Sequence, residues 1–107
     1  MSAKIKVIIK RPDEGVGHMT NISRSLQNLQ NTVDGRIEMV TIRRNEPKVV
    51  VICNEEGRLL GLEKNCTVEH EAVTIDFVGT IIVAGVDGEE LADVPISLKD
   101  WREEYLK

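Results

Sequence analysis

The sequence predicts an α+β domain, with a mixed, mostly antiparallel sheet, one main amphipathic helix and a short C-terminal helix. Three observations carry that expectation. Residues 4–10 and 72–78 alternate apolar with polar side chains, the period of two that a half-buried strand requires. Ile22, Leu26, Leu29 and Val33 step by four, three and four, which lines them up as one helical stripe. Short apolar runs over 48–53 and 80–86, bounded by turn residues, add further strands.

Taken in order, the first strand is Lys-Ile-Lys-Val-Ile-Ile-Lys at 4–10. Ile5, Val7 and Ile9 share one face, and Ile8 partly covers the other. Pro12 ends it, because proline donates no ladder hydrogen bond. Residues 13–20 read as a loop with two glycines. The helix follows from about 22 to 33, with Thr20 or Asn21 as N-cap and Gly35 at the C′ position. Residues 36–44 form the second strand. Ile37 and Met39 have one parity and Val40 and Ile42 the other, so this strand is buried on both faces or bulged. Asn45-Glu-Pro47 turns the chain into the strand 48–53. Asn54-Glu-Glu-Gly57 is a tight turn, with Gly57 free to take positive φ, and Arg58–Leu62 returns as a short strand. Residues 72–78 and 80–86 are two more strands bent apart at Gly79, and Gly85–Gly88 is a further turn. Ser97 and Asp100 make a capping box for the last helix, which docks Leu98, Trp101 and Tyr105 on the sheet. No repeat or linker divides the 107 residues, so 1–107 is read as one domain.

Composition narrows the function classes. A content of 41% hydrophobic and 30% charged residues suits a packed domain and is too apolar for a disordered tail. Eighteen acids against 14 bases, net −4, argue against general nucleic-acid binding, which needs a cationic surplus. Phe77, Trp101 and Tyr105 are the only aromatics, so the core rests on Ile, Val and Leu, and binding of single strands by base stacking, which needs several exposed aromatics, is disfavoured. No stretch reaches the roughly 20 apolar residues of a membrane span, and Met1-Ser-Ala-Lys-Ile-Lys lacks the apolar region of a secretory signal. The expected location is therefore the cytoplasm. Cys53 and Cys66, without a C-x-x-C, read as buried free thiols.

Val51-Ile-Cys-Asn-Glu-Glu-Gly57, then Leu60-Gly-Leu62 and Asn65, resembles the signature of a family of small uncharacterised proteins of phages, prophages and plasmids, a domain of unknown function. Leu26-Gln-Asn-Leu-Gln30, Val33-Asp-Gly35 and Gly79-Thr80 extend the resemblance along nearly the whole chain. Asp13-Glu14 between Pro12 and the following glycine, and Lys64 and Cys66 around Asn65, depart from the family pattern. The resemblance implies no catalytic residue or cofactor. It implies a mobile-element accessory protein, a class whose small phage members often act against host defence.

Candidate chemistry is sparse. Asn54, Glu55, Glu56 and Gly57 could form a polar functional cluster, although a tight turn uses the same residues structurally. Asn65 could equally fix a loop through backbone groups. Gly15-Val-Gly17 lacks the lysine and full pattern of a phosphate loop. His18 and His70 lack metal-ligand spacing, no serine sits in a nucleophile elbow, and Glu89-Glu90 and Glu103-Glu104 are adjacent and diverge. No enzyme, metal or cofactor is expected. One constellation depends on topology. If the first strand, the helix and the second strand form a right-handed crossover, the two strands run parallel with their C-terminal ends at one edge. Lys10, Arg11, Arg43, Arg44 and Lys48 would then gather near the helix N-terminus, as a basic pole for an anionic small ligand or an acidic protein surface. The expected function is non-enzymatic binding, with no membrane partner and a homo-oligomer left open. Its concrete form is counteraction of host defence, by sequestering a nucleotide signal or blocking a defence protein. The alternative is a structural or regulatory housekeeping module.

Overall fold

The computed structural model describes residues 4–107, and the reading made of Met1–Ala3 lies outside them. Alternating and β-branched stretches become strands β1 (Lys4–Lys10), β2 (His18–Ser23), β3 (Ile37–Arg43), β4 (Lys48–Asn54), β5 (Lys64–His70), β6 (Val73–Val78), β7 (Ile81–Asp87) and β8 (Glu90–Ala92). Helix α1 spans Leu26–Val33. The short α2 (Leu98–Asp100) widens into a π-helical turn over Trp101–Tyr105. The fold is thus α+β with mostly antiparallel strands. Five strands run in the order β2-β1-β7-β4-β3, β8 pairs with the end of β7, and β5-β6 form a separate hairpin. All ladders among the described residues are antiparallel.

The period of two sorts the central strands onto two faces. Ile5, Val7, Ile9, Val50, Ile52, Ile82 and Ala84 meet Leu29 and Val33 of α1. Ile8, Val49, Val51, Ile81 and Val83 meet the opposite cover, made by the β5–β6 hairpin and the C-terminal segment. Phe77 and Tyr105 fill that second layer, and Trp101, fully buried, donates its indole N–H to the Val16 carbonyl at 2.9 Å. The sheet is therefore the middle of three layers, which explains why its central strands are apolar on both sides.

Several expectations shift. The helix begins four residues after Ile22, at Leu26, capped by Ser25, whose Oγ accepts from the Asn28 amide at 3.3 Å. Ile22 belongs to β2 and reaches the same core from a strand, while Leu26 is 58% exposed. At the helix end Asp34, with φ 61°, takes the left-handed position expected of Gly35. Gly35 is demanded by crowding, since a Cβ there would lie 2.6 Å from Asn54 Nδ2. Residues 58–62 are no strand. Amides of Gly57, Leu60, Gly61 and Leu62 bond to Asn54, Glu56, Arg58 and Gly57 carbonyls, so the chain coils through successive turns. The expected bulge in the second strand is present, at the Thr41/Arg43 register shift. The capping box of Ser97 and Asp100 also forms, with bonds of 3.0 and 3.3 Å.

The crossover is where the topology departs furthest. A helix does connect two strands that run in the same direction, but the first of them is β2, and the two lie at opposite edges of the sheet. β1 and β3 are separated by β7 and β4 and run antiparallel to each other.

Candidate functional site

That topology divides the expected basic pole. Lys10 and Arg11 lie at the end of the sheet where β1 finishes and β7 begins. Arg43, Arg44 and Lys48 lie at the other end, where β3 finishes and β4 begins. One anion cannot bridge the two groups. Lys10 is also not a surface cation. It is 3% exposed, and its Nζ donates to the Glu14 carbonyl at 2.8 Å and to Asn65 Oδ1 at 2.7 Å. Arg11 is taken up locally: its amide donates to Glu14 Oε1 at 2.9 Å and its guanidinium lies 3.6 Å from the same oxygen. The second oxygen of Glu14 meets His18 Nδ1 at 2.8 Å. Those bonds, the Arg11 amide foremost, hold the Glu14 carboxyl below the usual carboxylate range.

Two of the motif residues, Asn54 and Asn65, also spend their side-chain polar atoms within the fold. Asn54 is buried. Its Nδ2 donates to the Val33 and Asp34 carbonyls at 3.2 and 3.0 Å, and its Oδ1 accepts the Glu56 amide at 2.8 Å. One side chain thus ties the C-terminus of α1 to the turn after β4. Asn65 does the same for β1, donating to the Lys10 and Gly79 carbonyls at 2.8 and 2.7 Å while its oxygen receives Lys10 Nζ. Gly57 does not use positive φ. It is needed because a Cβ would sit 2.8 Å from Val78 Cγ2. Glu55 and Glu56 contribute amides to the turn and leave their carboxylates exposed.

What the sequence did not reveal is a groove of about 430 Å³ between the β3–β4 face and β6, roofed by the coil after Asn54. Val40, Cys53, Ile75 and Phe77 form its apolar floor, and Glu38, Glu55, Arg58 and Asp76 its charged rim. Leu59, 88% exposed, stands at the mouth, with Leu60, 61% exposed, beside it in the chain. Burial and the neighbouring Glu38 carboxylate push the Cys53 thiol up to about 11, so it meets the groove as a protonated, weakly polar group. Cys66 is raised too, chiefly by burial. Both cysteines are free. The signal for this groove was Leu59-Leu60 beside an acidic turn. It becomes legible only once β5 and β6 are known to pair.

Among the described residues, two strand edges border the groove without a strand partner. β3 ends the order of the main sheet. Because the Glu55 amide bonds the Arg36 carbonyl, the alternation of an antiparallel pair turns the backbone groups of Ile37, Met39 and Thr41 away from β4. On β6, Asp76 lies opposite Thr67, whose carbonyl faces the other way to accept the Lys107 amide. The Asp76 backbone therefore also points outward, where Arg58 donates to its carbonyl at 2.7 Å. Among the described residues no three His, Cys, Asp or Glu side chains gather as metal ligands would, and no helix is long and apolar enough to cross a membrane.

The chain matches the model of one family, the domain of unknown function DUF3846, over residues 5–106. Comparison with curated proteins and with solved structures yields no match. The chain belongs to the DUF3846 family.

Proposed function

We propose that this member of the DUF3846 family is a non-enzymatic binding protein that receives a protein partner at the groove beside β6. The single observation that carries the reading is the groove itself. It joins an apolar floor, an exposed leucine and unpaired strand edges on one side of a molecule whose Lys10, Asn54 and Asn65 are spent on folding. Contiguous exposed apolar surface rimmed by charge is a mark of protein interaction. We read its setting as that of a phage or mobile-element accessory protein, with the blocking of a host defence protein as the concrete form. Sequestration of a nucleotide signal has less support, because the cations that would hold it lie at opposite ends of the sheet.

A photo-crosslinking residue placed at Leu59 tests the reading, with Asn31 on the exposed face of α1 as the control position. Irradiation in the native cell should give a discrete covalent protein adduct from position 59 and none from position 31. No adduct from position 59, or the same adducts from both positions, would overturn it. The identity of the captured protein separates interference with defence from a housekeeping role.

A further inference from the structure

Resting on the protein-binding reading, we infer that the groove takes an extended peptide segment carrying alternating basic and apolar side chains, which adds as a strand along the free edges of β3 and β6. The backbone argument comes first. Ile37, Met39 and Thr41 on β3 and Asp76 on β6 direct N–H and C=O groups away from their own sheets, and edges of that kind are templates for a further strand. One of these groups shows the demand directly: the Asp76 carbonyl, lacking a strand, draws in the Arg58 guanidinium.

The side chains then select the peptide. A strand laid in the groove presents alternate residues inward and outward. The inward positions meet Val40, Cys53, Ile75 and Phe77, and Cys53 is protonated and so adds no charge to that floor. Around the groove, Glu38 on the same face as Val40 and the rim residues Glu55 and Asp76 set three carboxylates against Arg58, while Arg44 and Lys48 stand further along β3, beside Met39 and Thr41. Arg58 is already engaged by backbone, so the rim favours lysine or arginine and disfavours acids. The chain's own net charge of −4 reinforces this preference at longer range. β3 paired with a second β3 is a poorer occupant, because the bulge at Thr41/Arg43 breaks the flat register that self-pairing needs.

The probes are two blocked heptapeptides, one alternating lysine with valine and the other glutamate with valine, titrated into the ¹⁵N-labelled chain. The lysine peptide should bind several-fold more tightly. It should move the amides of Met39, Thr41 and Asp76 while leaving those of α1 in place, and its advantage should shrink as salt rises. Met39→Pro deletes an outward donor and spares the β4 ladder, so it should abolish binding with the denaturation midpoint preserved. Should that variant fail to fold, Arg58→Ala decides the matter: it frees the Asp76 carbonyl and removes the cation that lines the groove, so it should strengthen lysine-peptide binding. Equal affinity for the two peptides, unchanged or weaker binding by Arg58→Ala, or a dimer in native mass spectrometry that occupies the same amides would overturn the inference. A crosslinked partner at Leu59 combined with silent strand-edge amides would sink the strand-addition mode and leave the protein-binding reading standing.

Discussion

The two ends of the central sheet carry similar residues put to opposite uses. At the end where β1 and β4 finish, Lys10, Asn54 and Asn65 are buried or half-buried, and each bonds at least two partners. At the other end Arg44 and Lys48 are exposed beside Thr41 and Met39, with solvent as their main neighbour. The difference is one of desolvation. A buried amine or amide left without acceptors costs far more than an exposed one, so the first end must be fully bonded and the second need not be. A lysine in a sequence motif is therefore no evidence of a ligand until its burial is known.

The sharpest way to break this comparison is Asn65→Ala. Lys10 Nζ would keep a single acceptor, and the Lys10 and Gly79 carbonyls would lose their donor. We expect a loss of about 2–5 kcal/mol in denaturant titration, the range for a broken buried polar network. Asn54→Ala should follow at about 1–3 kcal/mol, because it unties only one side chain from the helix end and the turn. Gly57→Val should cost more than about 1 kcal/mol through overpacking against Val78. If either asparagine variant unfolds at the wild-type midpoint, the residue is free for a functional role after all. At the opposite end, Arg44→Ala combined with Lys48→Ala should move stability by less than about 0.5 kcal/mol. A larger loss would show that this end too is built into the fold.

Particular residues show what the sequence could and could not convey. Periodicity placed β1, β3, β4, β6 and β7 because their apolar faces are long and regular. It missed β2, where Met19 and Ile22 are half-buried at an edge and the rest is polar. It also missed the β5–β6 hairpin, because its turn holds Glu71 and Ala72 at φ 49° and 67°, where Asn or Gly would have announced it. With that hairpin unseen, the groove was invisible. The basic cluster failed for a related reason: strand order is a long-range property, and the missing β2 led the crossover to be assigned to β1. Asn54 and Asn65 are conspicuous in the sequence, but only the fold shows that their partners are mainly main-chain atoms.

The smallest expected effect concerns acid. Glu14 sits at the bonded end, where the Arg11 amide and His18 stabilise its ionised form and lower its carboxyl from the ordinary value. A carboxyl depressed on folding adds stability that is fully present above its unfolded value, about 4.3 for glutamate, and lost as pH falls through the folded one. The group is partly solvated, so the contribution is modest. Glu14→Gln should therefore lower the denaturation midpoint slightly at neutral pH. Its deficit against the wild type should shrink as pH falls below the ordinary glutamate value of about 4.3, and vanish once the wild type has protonated the same group. A Glu14→Gln deficit that stays constant from neutral pH to pH 3 would mean that the carboxylate's charge contributes nothing.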